Sequence, residues 1–469
     1  MLEVILDISN EIDRILWGPW TLVFIALVAI FLTVKSGFFQ FRKIGFIFMN
    51  TFGKIFKQKA VAGKGKMTPF QATATALAST VGMGNIAGVA TALTIGGPGA
   101  IFWMWLLALF GMLTKTTEIT LAVHYRDVDK QGNVRGGPMY YIKKGLGWNF
   151  LAKLFCIGIL INSVLASSIL QAHTVGRAFY SAYNINPYII VGAMIAVTSF
   201  VIIGGVKRIG QFCEALVPLM ALLYIIGGII IFFTNYTKIP EVFSLIFKNA
   251  FGFMSASGGI VGFAVKTAIK EGMAKGTLSS EAGSGTAPMV HATADTPHPF
   301  QQGIWGAFEV FIDTIVICTM TAFAVLSTGV LSNGNSGIEL VMDAFSSVFS
   351  SGIAGTFISI SILTFCLSTM IGFFIYFETA FVNVFNKKYV KYFRWLYLLP
   401  PILFAGVANV ERLWVFANIS VGVCVLPNMV ALLALNGVFF KLMKDYMSGQ
   451  NKYRTEITDS TKQYVKKAV

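Results

Sequence analysis

Charge is scarce in this sequence: 12% of its 469 residues are Asp, Glu, Lys or Arg, against about 25% in an ordinary soluble domain. With 55% hydrophobic residues and a mean hydropathy of +0.71, that shortage excludes a soluble globular chain. Histidine is rarer still, with four residues, and cysteine contributes five. Cys156, Cys213, Cys318, Cys366 and Cys424 stand singly in apolar stretches, without pairing or metal spacing, so they read as small core residues. No P-loop or other ATP-binding motif is present, which argues against primary transport. A basic secretory leader is missing too: Glu3, Asp7, Glu11 and Asp13 precede the first apolar block, so no cleaved signal peptide is expected.

What the chain has instead is apolar blocks close to the span of a bilayer helix, about 20 residues. Gly18 to Val34 and Tyr188 to Gly205 are two of them. They do not alternate in segments of roughly ten residues, as barrel strands would. The pattern predicts an all-α integral membrane protein of the cell membrane. The net charge of +15 fits this reading through its distribution. Lys and Arg gather in Lys35–Lys66, Arg126–Lys153, Lys207–Arg208, Lys266–Lys275, Lys387–Arg394 and Lys441–Lys467, with isolated ones near Arg14, Arg177, Lys238, Lys248 and Arg412. This alternation is a positive-inside bias and not a nucleic-acid footprint.

Eleven transmembrane helices are predicted. One leads, near Trp17–Lys35, and ten core helices start near Pro69, Gly99, Lys153, Pro187, Ile209, Gly252, Gly303, Gly352, Phe393 and Leu413. The charge bias places the N-terminus outside and the C-terminus in the cytoplasm. Four parts follow: an extracellular start, leading helix and basic interfacial segment over 1–66, two five-helix sets over 67–251 and 252–440, and a polar tail over 441–469. Two sets of five entering from opposite sides form an inverted repeat, which holds its substrate at the midplane between broken helices. Gly-rich interruptions are expected at Val81–Asn85 in the first core helix and at Ser255–Gly259 in the sixth.

In the first break, Gly82, Gly84 and Gly88 could serve close packing alone. Asn85 is the odd residue, because a carboxamide mid-membrane needs a partner, and Ser79 and Thr80 lie one turn back. An unwound stretch frees carbonyls for Na⁺ and N–H groups for an amino-acid carboxylate. In the eighth core helix, Ser368 and Thr369 interrupt the apolar run from Leu363 to Phe377. Such hydroxyls commonly bond back to a carbonyl of their own helix; facing the free carbonyls of a broken helix, they offer oxygen to an ion. The third helix carries Asn162, Ser163, Ser167, Ser168, Gln171 and His173. Gln171 reads as a substrate contact or as interhelical glue worth about 1 kcal/mol, and His173 as a titrating or a packing residue.

Glu309 and Asp313, at i,i+4 spacing, would share a face and repel unless one is protonated or a cation lies between them. Glu118, Glu214 and Glu378 read as structural partners for Lys115 or loop cations. Glu281, His291, Asp295 and His298 superficially resemble metal ligands, but their spacing fits no zinc pattern, and Pro297 and Pro299 mark loop.

The block GGPGAIFWMWLLALFG, Gly96 to Gly111, resembles the signature of the sodium:alanine symporter family, prokaryotic carriers of alanine, glycine or glutamine. GNIAGVATAL (84–93), GGPMYYI (136–142), SSEAGSGTAP (279–288) and FIDTIVICTMTA (311–322) support it. The resemblance implies an eleven-helix form of the LeuT-type 5+5 inverted-repeat fold. It assigns Thr80, Gly82, Gly84 and Asn85 to substrate and sodium, Gln171 and Phe179 to the substrate pocket, and Gly258 and Gly259 to the sixth-helix break. Ser368 and Thr369 match the sodium-site hydroxyls, joined by Ser79 and Val81 on the ion's side. His173 stands where the family carries asparagine and Phe373 where it carries tryptophan; both fall in the expected pocket. Leu278 and Ser280 also depart from the family pattern.

The function expected is sodium-coupled import of a small neutral amino acid by alternating access. Alanine and glycine come first, serine or glutamine second; there is no cofactor beyond the coupling ion and no enzyme activity. The alternatives are the same fold with another substrate or proton coupling, a channel, which needs a continuous polar pore, and a membrane enzyme built on Glu281–His298.

Overall fold

The computed structural model describes residues 2–55, 63, 66–129, 132–252, 258–385, 387–407 and 411–453. Two helices open the chain, α1 (Leu2–Leu16) and α2 (Pro19–Lys35), hinged at Gly18. The first core helix is split into α3 (Pro69–Thr80) and α4 (Val89–Gly96), joined through a π-helical turn at Gly84–Gly88. Then come α5 (Gly99–His124), α6 (Asn149–Val164), α7 (Gln171–Tyr183), α8 (Pro187–Ile203) and α9 (Gly205–Thr234). The second set runs α10 (Gly258–Ser280), the short α11 (Pro288–His291), α12 (Pro299–Val310), α13 (Thr319–Thr328), α14 (Gly337–Ser346), α15 (Ser351–Val384), α16 (Val390–Leu398) and α17 (Glu411–Ala434), and α18 (Asn436–Met447) follows. The only strands among the described residues are Asp127–Val128 and Val134–Arg135, an antiparallel pair.

Nine of the ten predicted core starts fall within four residues of a helix start, Gly252 precedes α10 by six, and at α3 a capping box marks the start. At α3 the Thr68 hydroxyl accepts from Gln71 N while the Gln71 side chain accepts from Thr68 N, each at 3.1 Å, with Pro69 in the first turn. By length and composition, seven helices among the described residues suit a membrane crossing, or eight when the bent pair Pro69–Thr80 and Gly84–Gly96, inclined by 51°, is one span. The other predicted spans fall on shorter or more polar helices: α8 has 17 residues, and α10 carries Lys266, Lys270, Glu271 and Lys275.

Helices pack where small residues let backbones meet. A Cβ at Gly303 of α12 would lie 2.1 Å from Thr120 Oγ1 of α5, so that contact closes only around glycine. All five cysteines are free and buried.

Two sequence expectations meet the structure here, one of them largely on residues that are not described. The sixth-helix break was expected at Ser255–Gly259. Residues 253–257 lie outside the described residues, and Gly258 and Gly259 open α10, which runs unbroken to Ser280. Among the described residues an interruption falls at 281–287, between α10 and α11, where Glu281, Gly283 and Gly285 have φ of 53°, 95° and 75°. Lys266 to Lys275 therefore precede the break. Lys266 and Lys270 line a groove with Arg14 and Trp17, at the opposite end of α2 from Lys35, so this cluster does not share a side with Lys35 as the charge bias suggested.

Candidate functional site

At Val81 the chain leaves helical geometry (φ −78°, ψ 100°), and Gly82 and Met83 turn their N–H groups sideways. Gly82 N donates to Asn85 Oδ1 at 3.0 Å, and Met83 N donates to Gln171 Oε1 at 3.2 Å. Gln171 can do this because it follows a second π-helical stretch, Leu165–Leu170, which re-aims the start of α7. A Cβ on Gly82 would sit 2.6 Å from Thr369 Oγ1 and 3.2 Å from both polar atoms of the Gln171 amide, so backbone and side chains meet here only through glycine.

Ser368 and Thr369 of α15 lie against the C-terminal end of α3. Ser368 Oγ is 3.3 Å from Ala78 O, and Thr369 Oγ1 is 3.1 Å from Ala78 O and 3.2 Å from Val81 O. Both hydroxyls are also 2.8–2.9 Å from Phe365 O in their own helix. Each hydroxyl has one proton. Spent on Phe365 O at the shorter distance, it leaves lone pairs facing the Ala78 and Val81 carbonyls. Back-bonding and ion binding are therefore not rivals: the back-bond turns an acceptor-rich patch of neutral oxygens outward, suited to a hard cation.

Asn85 is fully buried, and its amide nitrogen contacts Asp313 Oδ1 at 2.6 Å and Ser279 Oγ at 3.0 Å. Asp313 Oδ2 accepts from Ser279 Oγ at 2.9 Å and from Thr314 Oγ1 at 2.8 Å. Glu309 has a separate set of partners: Thr80 Oγ1 at 2.8 Å, Lys115 Nζ at 3.1 Å and His291 Nε2 at 3.1 Å. Lys115 also donates to Ser280 O at 2.8 Å. The two carboxylates, four residues apart, are thus bound by different partner sets, with Asp313 carried on a third π-helical stretch, Phe311–Cys318.

The two breaks meet at a cavity of about 50 Å³. Its lining includes Ser79, Thr80, Gly82, Gly84, Gln171, Thr369 and Phe373. Among residues not assigned to the site from sequence, Thr277 and Leu278 at the end of α10 and Glu281, Ser284 and Thr286 of the second break, with Asn162 and Ser167, also line it. Glu281 is 7% exposed and accepts from Thr286 Oγ1 at 2.6 Å. Val81 contributes its carbonyl, and Asn85 sits behind the wall. His173 and Phe179 do not reach this cavity. His173 Nε2 lies 2.8 Å from Val407 O and faces a separate outer cavity, and the Phe179 ring packs on Tyr183 further along α7. Gly258 and Gly259 lie at the far end of α10. The four residues that looked like metal ligands go to different partners: Glu281 to Thr286, His291 to Glu309 and Gln302, Asp295 to Lys66, and His298 to Asp445. Among the described residues no group of metal-ligating side chains forms.

Residues 2–460 match the sodium:alanine symporter family. The chain belongs to that family. Sodium/alanine symporter AgcS of Methanococcus maripaludis is 36% identical over 441 residues, 92% of this chain and 95% of that one. A Bacillus subtilis protein designated "Probable sodium/glutamine symporter GlnT" is 38% identical over 450 residues, 95% of this chain and 91% of that one. In fold, the crystal structure of MhsT in complex with L-phenylalanine aligns with a TM-score of 0.56 at 16% identity, covering 80% of this chain and 90% of that one. The chain is thus a sodium-coupled amino-acid symporter of LeuT-type fold, a multi-pass membrane transporter and not an enzyme.

The symporter's central cavity is sealed at one end and approached from the other. At the start of α3, Met67 N donates to Thr293 O at 3.1 Å and Asp295 N to Met67 O at 2.8 Å. Lys66 Nζ holds Asp295 at 3.2 Å, and Arg126 Nη1 donates to Ala292 O and Ala294 O at 3.0 and 2.6 Å. At the opposite end, a cavity of about 560 Å³ lined by His173, Thr174, Arg177, Glu339 and Trp414 stops above Met83, whose sulfur accepts from Thr174 Oγ1 at 3.5 Å.

Proposed function

We propose that this symporter imports one small neutral amino acid with Na⁺ by alternating access around the cavity between the two breaks. The N-terminus lies outside and the C-terminus in the cytoplasm. Ala78 O, Val81 O, Ser368 Oγ and Thr369 Oγ1 bind the ion, with Ser79, Thr80 and Asn85 holding the end of α3 around it. Gln171 Nε2, held at the Gly82–Gly84 turn by the Met83 N–H on its Oε1, donates to the substrate carboxylate, and Glu281 receives its ammonium. Phe373 and Leu278 bound the side chain. The observation that carries this reading is the meeting of two unwound segments and an acceptor-rich oxygen patch at one buried cavity.

Alanine and glycine head the substrate range, with serine and glutamine next, since Phe373 replaces a larger ring. The relatives named for alanine and for glutamine support that breadth. Radiolabelled uptake into proteoliposomes tests the reading. An inward Na⁺ gradient should drive accumulation, with K⁺ or a proton gradient failing to replace it. Equal uptake in choline medium driven by protons would refute it.

A further inference from the structure

A groove of about 740 Å³ runs between the α1–α2 hinge and α10, away from the transport cavity. Its walls are apolar, with Leu22 and Ala26 on one side, Ile269 and Met273 on the other, and Trp103 also lining it. Its cations are Arg14, Lys266 and Lys270, and all three lie toward one end. Lys266 and Lys270, four residues apart, share a face of α10. Both are exposed, and Lys266 pairs with no carboxylate among the described residues. Arg14 is held by Glu11 at 2.6 Å, and Lys270 has Glu271 at 3.9 Å.

Depth fixes where these charges lie. Ser279, on the same helix, bonds to Asn85 and Asp313 at the centre of the protein. Lys270 and Lys266 precede it by roughly 14 and 20 Å at about 1.5 Å per residue. Half of a bilayer's hydrocarbon core is about 15 Å. The lysines therefore reach headgroup level. Trp20, 87% exposed, directly follows Pro19 of the groove lining, where an interfacial anchor would stand. The apolar walls continue inward to hydrocarbon depth.

We propose that this groove binds one anionic phospholipid, with its headgroup phosphate on Lys266 and Lys270 and an acyl chain between α2 and α10. The polarity of the groove matches that of the lipid end for end. Because α10 carries Thr277 to Ser280 into the transport site, such a lipid sits against the helix that delivers half of that site. The inference rests on the groove and not on the assignment of the transported amino acid.

Native mass spectrometry of the full chain, with dioleoyl-phosphatidylglycerol and dioleoyl-phosphatidylcholine in equal amounts, tests it. The expected result is a preference of roughly tenfold for phosphatidylglycerol, lost in Lys266→Gln/Lys270→Gln and kept in Lys153→Gln/Lys207→Gln, which removes equal charge elsewhere. Sodium-dependent uptake by the first variant in phosphatidylcholine vesicles should persist, showing an intact fold. Equal retention of the two lipids, a preference that survives Lys266→Gln/Lys270→Gln, or a dimer that excludes lipid would each overturn the proposal.

Discussion

Replacing Thr369 by alanine removes the oxygen that lies 3.1 Å from Ala78 O and 3.2 Å from Val81 O while keeping the side chain's Cβ. A hydrogen-bond-like contact to a charged group contributes about 1.5–3 kcal/mol. At 1.4 kcal/mol per tenfold, the Na⁺ concentration for half-maximal uptake should rise at least about tenfold. Part of the loss is offset if water enters the space, so the lower end is the expectation. Maximal uptake at saturating Na⁺ and the substrate's own half-saturation there should stay near wild type, because the hydroxyl is assigned to the ion. Thr369→Ser keeps the oxygen and should restore Na⁺ affinity. The assay is a Na⁺ titration of labelled alanine uptake in proteoliposomes, run in parallel with Ser368→Ala. Na⁺ dependence within twofold of wild type in both alanine variants would mean that these hydroxyls serve only Phe365 O.

Four further outcomes follow from the same geometry. Asp313→Asn loses charge-assisted bonds to Asn85, Ser279 and Thr314, each worth about 1.5–3 kcal/mol; thermal stability and substrate affinity should both fall, and no change in either would refute the role given to this carboxylate. Gly82→Ala forces a Cβ to within 2.6 Å of Thr369 Oγ1, so uptake should collapse while the protein still purifies as a monodisperse species; wild-type transport would show that the break is looser than described. Phe373→Trp should narrow the substrate range toward glycine and alanine with Na⁺ coupling intact, as a graded effect of about 1–3 kcal/mol per methylene of lost space; an identical rank order of competitors in both proteins would sink the idea. In a cysteine-free background, cysteines at Gly334 and Asn451 should label from outside and inside respectively, and labelling of both from one side would reverse the proposed orientation.

The first break was legible because a carboxamide set among glycines in an apolar run needs a polar partner that helix packing alone does not provide. Ser368–Thr369 stood out in the same way. Of the glycines expected to break the sixth helix, Gly258 and Gly259 open α10 and Ser255–Ser257 lie outside the described residues. Glu281 to Thr286, which does meet the first break, looked like a polar loop, since only tertiary structure brings it to the cavity wall. The partners of Lys115 were half visible. A lone lysine mid-helix demands a carboxylate, but sequence distance favoured Glu118, whereas the ammonium reaches Glu309 and Glu118 is held by Asn428. The i,i+4 spacing of Glu309 and Asp313 pointed to a compensating cation, and the buried ammonium of Lys115 lies 3.1 Å from Glu309; the separate hydrogen-bond partners of Asp313 come from Asn85, Ser279 and Thr314, which only tertiary structure brings to it. His173 was placed in the pocket by alignment, but two residues beyond Gln171 on a helix is more than half a turn away, and it faces the outer cavity.

The proposed ion shell, formed by Ala78 O, Val81 O, Ser368 Oγ and Thr369 Oγ1, contains no formal charge. The buried ions around it, Lys115, Glu309 and Asp313, belong to the protein and stay with it whether or not cargo is aboard. A zwitterion adds nothing to the balance. On the proposed coupling, each sodium taken up with a zwitterion would move a whole positive charge inward that its own ligands do not cancel, which would make the carrier electrogenic. An interior-negative membrane voltage then drives accumulation alongside the sodium gradient. At about 2.3 kcal/mol per charge per 100 mV, 100 mV acting on one sodium per amino acid would alone support roughly a fiftyfold concentration of the amino acid.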